Sequence, residues 1–268
     1  MIKKEINENG LVADLFTDSS LHPRKAFVML GGSEGGKSWS RIKRPIDILV
    51  QQGYAVLSLA YFKAQDLPSS LEEIPIEYFE RAFTWLSAQR GIVPNEVAIL
   101  GGSKGAEAAL LLGSLYPQVK AVVAISPSCV VWQGIPKQRF ELGKHGSSSW
   151  SYQGESLPYL PYPSSIKKMD ILSLRLREVH QEALKNTDRV QEAAIRVENT
   201  QGAIMLLSGI RDRLWPATLM SENLVNRLAA KSFIYHYEHI DYNTGHNGIV
   251  MSKNCWRKIF DFLKNHYA

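Results

Sequence analysis

The sequence predicts an α/β fold, a mostly parallel sheet with helices on both faces. Two observations carry this. Short apolar runs of strand type alternate with helix-type segments from residue 25 almost to the end of the chain, and parallel strands need crossover connections, which helices supply. No internal repeat or change of composition divides the 268 residues, so a single domain over 1–268 is expected.

KAFVML (25–30) is a short apolar run halted by Gly31-Gly32-Ser33-Glu34-Gly35-Gly36, the pattern of a buried strand entering a glycine loop. Residues 41–51 read as a helix. YAVLSLAYF (54–62) is the second strand, partly β-branched and aromatic. Within 75–89, Tyr78, Phe79, Ala82, Trp85 and Leu86 recur at three- and four-residue spacing, which puts them on one helical stripe. EVAIL (96–100) is the next strand, followed by Gly101-Gly102-Ser103-Lys104-Gly105 and by AEAALLLGSLY, a run of strong helix formers. AVVAIS (121–126), AIMLLS (203–208) and FIYHYEH (233–239) complete the predicted strands, with amphipathic helices at about 216–230 and 254–266. Residues 131–170 break the alternation. Trp132, Trp150, Tyr152, Pro158, Tyr159, Pro161 and Pro163 stand there without a sustained period, which predicts an irregular, lid-like insertion over one end of the sheet.

Composition narrows the chemistry. A 45% hydrophobic and 21% charged chain is an ordinary globule. No apolar run approaches the roughly 20 residues of a spanning helix, and MIKKEINENG lacks the apolar centre of a signal peptide. A cytoplasmic protein without membrane contact is therefore expected. Its two cysteines, Cys129 and Cys255, stand in neither a paired nor a metal-type spacing. No metal, cofactor or nucleic-acid constellation is present, and the expected partner is a small molecule. The net charge of +5 suits an anionic substrate, but also an ordinary solvated surface.

The chemistry rests on Ser103. Gly101 to Gly105 fits the G-x-S-x-G nucleophile elbow, with a strand ending at Leu100 and a helix beginning near Lys104, as that strand-to-helix turn requires. The elbow predicts the α/β-hydrolase fold. A serine hydroxyl is a weak nucleophile, so it needs a base, and the base needs an orienting acid, which in this fold precede one another in the order acid, then histidine. Asp212, in Gly209-Ile210-Arg211-Asp212 after the strand at 203–208, stands on a loop at a carboxyl end, where sites of open sheets gather. Asp241 is the rival, expected beyond the following strand. His246, between the last strand and the last helix, has the position of the base. His236 and His239 fall in or at the end of the predicted last strand, His22 and His145 follow no acid loop, His180 precedes Asp212, and His266 ends the last helix. The Lys104 N–H is the first expected oxyanion donor, and the Gly31–Gly36 loop offers the second at Ser33 or Glu34.

These residues resemble the C-terminal catalytic domain shared by acyl-CoA thioester hydrolases and bile acid-CoA:amino acid N-acyltransferases. YAVLSLAYFKAQDLPSSLEEIPIEYFERAFTWL (54–86) is similar to the family's approach to its elbow, GGSKGAEAALLL (101–112) to the elbow itself, SGIRDRLWPA (208–217) to its acid loop and NTGHNG (243–248) to its histidine loop. The resemblance implies an acyl-CoA substrate hydrolysed through Ser103, Asp212 and His246, with Arg41, Lys43 and Arg44 near the CoA phosphates or simply on a solvated helix face. Longer members carry an N-terminal β-sandwich domain, which the 24 residues before the first strand do not supply. The amide-forming members resemble cysteine-nucleophile enzymes, whereas position 103 is serine, so hydrolysis is expected over amino acid transfer. An oxygen-ester hydrolase related to carboxylesterases or dienelactone hydrolases, and a silent binding module, are the other readings.

Overall fold

The computed structural model describes residues 1–19, 22–144 and 146–267; His145, set aside above, lies outside them. Strands β1 (Ile2–Glu8) and β2 (Leu11–Thr17) form an antiparallel hairpin. Asn9 and Gly10 both take positive φ at its tip, the geometry a two-residue hairpin turn needs to match strand twist. The core alternation follows as β3 (Arg24–Leu30), α1 (Lys43–Gln51), β4 (Tyr54–Ala60), β5 (Ile74–Pro75), α2 (Glu77–Ser87), β6 (Ile92–Gly102), α3 (Lys104–Leu115) and β7 (Val119–Ile125). After an excursion come β8 (Trp150–Tyr152), β9 (Glu155–Ser156), α4 (Lys168–Leu172), α5 (Arg177–Ala183), α6 (Thr187–Glu192), β10 (Ala203–Gly209), α7 (Ala217–Ala230), β11 (Tyr237–Tyr242) and α8 (Lys253–His266).

Eight strands make one sheet in the order β1-β2-β4-β3-β6-β7-β10-β11. β1 and β2 run antiparallel to their neighbours and the rest are parallel. Parallel strands covered on both faces must be apolar on both, and β3 is: Val28 and Leu30 enter one core with Phe79 and Leu110, while Phe27 and Met29 enter the other with Ile46, Leu49 and Ile259. α2, α3 and α7 cover the first face, and α1 and α8 the second.

The insertion expected over 131–170 begins as foreseen but continues to the start of β10. Its β8 and β9 form a small second sheet with β5, which lies before α2, and three short helices follow that the sequence pattern did not disclose. The last strand also differs. It spans Tyr237–Tyr242 and not 233–239. Phe233 packs ring to ring on Tyr235 and Tyr237 although only Tyr237 belongs to the strand, so the alternation of these aromatics mimics a strand that starts too early. His236 thus precedes β11, His239 sits inside it, and Asp241 lies in the strand and not beyond it. Among the described residues no helix is long and apolar enough to cross a membrane.

Candidate active site

The carboxyl ends of the parallel strands converge on Ser103. β6 ends at Gly102 and α3 begins at Lys104, leaving Ser103 as the turn residue with φ 56° and ψ −119°. A non-glycine residue there is strained, and such strain is held only where the surroundings fix it. The flanking glycines explain how. A Cβ on Gly101 would lie 2.0 Å from the Gly105 carbonyl oxygen, and one on Gly105 2.3 Å from that of Gly31. No side chain fits at either position, so the motif is dictated by backbone crowding.

Asp212 follows β10 and is 1% exposed. Its Oδ1 accepts from the N–H groups of Leu214 (2.8 Å) and Trp215 (3.3 Å), and its Oδ2 meets His246 Nδ1 at 2.7 Å. A carboxylate can only accept at neutral pH, so Nδ1 carries the hydrogen and Nε2 is left as the basic nitrogen. The loops bearing the two residues are bound together: Ile210 N–H donates to the Tyr242 carbonyl and Arg211 N–H to that of Thr244, each at 3.0 Å. The Ser126 hydroxyl donates to the His246 carbonyl at 3.1 Å. His246 and Ser103 line one cleft of about 300 Å³, with Gly32, Trp39, Ile42 and Val250 in its walls. Among the described residues no hydrogen bond joins Ser103 Oγ to His246. Such contacts are often long without substrate. Asp241, the rival acid, is occupied elsewhere, bound to the hydroxyls of Ser208 and Thr218 and to His239.

The glycine loop after β3 does reach the nucleophile, since a Cβ on Gly32 would stand 3.1 Å from that of Ser103. The Gly32 N–H is occupied by Glu34 Oε1 at 2.9 Å. Those of Ser33, Glu34 and Lys104 have no partner among the described residues. Ser33 lines a second, smaller cavity with Ser103 and Lys104, and its carbonyl accepts from Arg139 at 2.7 Å and Lys63 at 3.3 Å. Arg41, Lys43 and Arg44 are exposed; none lines the cleft, although Arg41 and Lys43 flank Ile42, which does.

Sequence reasoning missed Glu107. It is fully buried in α3, and its carboxylate accepts from Lys104 Nζ (2.7 and 2.8 Å), Trp132 N–H (3.1 Å) and Trp150 Nε1–H (2.9 Å). Burial pushes the Glu107 carboxyl up and the Lys104 ammonium down, and each opposes the shift of the other. The signal was present: a carboxylate within AEAALLL, a helix apolar all round, has to be buried, and a buried charge needs a partner.

The smaller cavity, about 60 Å³, lies under the insertion, which gives it Ile135, Arg139, Leu142 and Tyr162. His180 and Trp215 complete its polar lining. His180, discounted above as a base, is held by its Nδ1 on the Leu176 carbonyl at 2.7 Å.

The strand order, the strained serine between β6 and α3, and the acid and histidine loops after β10 and β11 together define an α/β-hydrolase fold. The chain belongs to the family described as BAAT / acyl-CoA thioester hydrolase C terminal, which matches residues 74–249. It is 28% identical over 234 residues to acyl-coenzyme A thioesterase 5 of Mus musculus and 27% identical over 229 residues to acyl-coenzyme A amino acid N-acyltransferase 1 of the same organism. Each alignment takes in 84% of this chain and 49% of the relative, so the chain spans about half the length of the curated relatives it matches. Among solved structures it resembles the Pyrococcus furiosus esterase Pf2001, with a TM-score of 0.62 at 16% identity over 100% of this chain and 93% of that one. That likeness is one of fold.

Proposed function

We propose that the protein is a serine hydrolase that cleaves acyl thioesters, acyl-CoA to free acid and CoA, through Ser103, His246 and Asp212. The observation that carries this is the 2.7 Å contact of His246 Nδ1 with buried Asp212, which leaves a basic Nε2 in the same cleft as Ser103. Ser103 Oγ attacks the acyl carbonyl as His246 Nε2 takes its proton, and Asp212 stabilises the imidazolium. The unpartnered N–H groups of Lys104 and of Ser33 or Glu34 receive the oxyanion, the first with the support of the α3 N-terminus. His246 then returns its proton to the leaving sulfur and activates the water that releases the acid. Both candidates for the second donor border Ser103, Ser33 in the smaller cavity with Lys104 and Glu34 in the larger cleft with His246.

The choice of a thioester comes from the family and from relatives named as acyl-CoA thioesterases. Arg41 and Lys43 flank Ile42, which lines the larger cleft, and these two with Arg44 are exposed cations available to CoA phosphates. Thiol release over an acyl-CoA chain-length series tests the reading, with Ser103→Ala and a matched p-nitrophenyl ester series alongside. Thioester turnover lost in Ser103→Ala supports it. Ester turnover with inert CoA substrates moves the protein to an oxygen-ester hydrolase with the same triad, and no turnover or fluorophosphonate labelling of either kind argues for a binding module.

A further inference from the structure

Two buried polar atoms of residues that line the smaller cavity, His180 Nε2 and Trp215 Nε1, have no hydrogen-bond partner among the described residues. Protein interiors leave few such groups unpaired, and each one calls for an explanation. The two differ in kind. The Leu176 carbonyl can only accept, so His180 Nδ1 carries the hydrogen that binds it, and Nε2 on the other side of the ring presents a lone pair. Burial depresses the imidazole pKa to about 4 and keeps the ring neutral. The indole Nε1–H of Trp215 can only donate. The rings pack edge to face at 5.8 Å, and Trp215 also meets His246 at 5.7 Å. The residues that carry this acceptor and this donor are therefore neighbours in the lining of a cavity that opens on Ser103, which they share with Ile135, Leu142, Ile171 and Leu214 and with the polar Tyr162 and Arg139. At about 60 Å³, against about 300 Å³ for the cleft on the other side of Ser103, it holds a small group.

We propose that this cavity receives the acyl group, and that it selects a short acyl chain carrying a hydroxyl, which donates to His180 Nε2 and accepts from Trp215 Nε1–H. A hydroxyl is the smallest group able to satisfy both atoms at once. An unfunctionalised alkyl chain leaves both unpaired, and sites built to bind a substrate hydroxyl discriminate strongly against analogues that lack it. His180 and Trp215 are then specificity-determining residues. The inference rests on the reading of Ser103 as the nucleophile of an acyl hydrolase.

The test compares butyryl with 2-, 3- and 4-hydroxybutyryl groups, each as the CoA thioester and as the p-nitrophenyl ester. At least one hydroxybutyryl isomer is expected to exceed butyryl in kcat/KM by about tenfold or more, as two neutral hydrogen bonds imply. In Trp215→Phe and in His180→Phe the ratio is expected to fall to within about threefold of unity. His180→Phe leaves the Leu176 carbonyl bonded by the His180 backbone N–H at 2.9 Å, and Trp215→Phe carries the test alone if the first variant fails to fold. Butyryl turned over as well as every hydroxy isomer overturns the proposal and assigns the two atoms to a buried water. A hydroxyl preference seen on esters with inert CoA thioesters sinks the thioester reading and keeps the cavity assignment. If neither series turns over, calorimetric titration of Ser103→Ala with hydroxybutyrates and butyrate decides: tighter binding of a hydroxy acid supports the cavity, and equal or no binding overturns it.

Discussion

At Asp212 the two carboxylate oxygens divide their tasks, Oδ1 fixing the loop through Leu214 and Trp215 and Oδ2 fixing the imidazole of His246. Asp212→Asn keeps the shape but presents an N–H₂ to Nδ1 and so favours the wrong tautomer. kcat is expected to fall on the order of 10³- to 10⁴-fold with a small change in KM. Steady-state kinetics beside Asp241→Asn checks this, and a larger loss in the Asp241 variant would transfer the role to the rival acid. His180 supplies a separate residue-scale effect. Its imidazole is held neutral by burial, with a pKa of about 4 against an ordinary 6.5. The unfolded chain therefore binds a proton between those values that the folded chain refuses, so this contribution to stability is complete above pH 6.5 and declines as pH falls toward 4. The decline amounts to about 3 kcal/mol at most. Urea unfolding across pH 4–7 should show that slope reduced in His180→Phe, and an identical slope in both proteins would contradict it.

At the scale of elements, the insertion is tied to the nucleophile elbow through one carboxylate. Glu107 of α3 accepts from Trp132 and Trp150 in the insertion and from Lys104 beside Ser103. Removing it strands a buried ammonium and two N–H donors, and breaking one side of a buried pair costs about 3–5 kcal/mol. Glu107→Ala is expected to lose that much stability by chemical denaturation, whereas Lys104→Met/Glu107→Leu removes the stranded ammonium but not the unpaired Trp132 and Trp150 donors and should recover part of it; equal losses in both would mean that the unpaired charge is not responsible. The same elements show where the sequence was readable. The elbow and the acid and histidine loops were legible because each is a local pattern at a strand end. The insertion beyond residue 170 was not, because α4, α5 and α6 are five to seven residues long and take their stability from packing and not from an apolar stripe. Glu107 and His180 escaped because their roles depend on partners and a cavity assembled from distant segments. The hairpin of β1 and β2 was overlooked although Asn9-Gly10, with both residues at positive φ, is the strongest short-range signal of one.

At the scale of the whole molecule that hairpin links the sheet edge to the cleft. β2 gives Leu11, Ala13 and Leu15 to one core and Phe16 to the other, and the Val12 N–H donates to the Tyr78 hydroxyl at 3.3 Å. Its Asp14 has a side chain 2% exposed, paired with Lys37 at 2.6 Å and Lys3 at 3.2 Å. Lys37 precedes Ser38 and Trp39, which line the cleft beside Ser103. Deleting residues 1–17 would therefore bare the edge of β4, an open template for pairing with another chain, and release the loop that carries the cleft wall. Self-association on size exclusion, a lower Tm and loss of turnover are the expected results, and a monomer with unchanged Tm would refute the argument. Asp14→Asn separates the two effects by keeping the packing. Burial alone would raise the Asp14 carboxyl, but the bonds from Lys37 and Lys3 hold it below its ordinary value. Its contribution is therefore present above the ordinary carboxylate range and is lost as pH falls through the depressed value. Wild type should lose more stability than Asp14→Asn between pH 7 and pH 3. At neutral pH the variant should turn over more slowly than wild type at temperatures well below its Tm, because Lys37 no longer anchors the wall of the cleft.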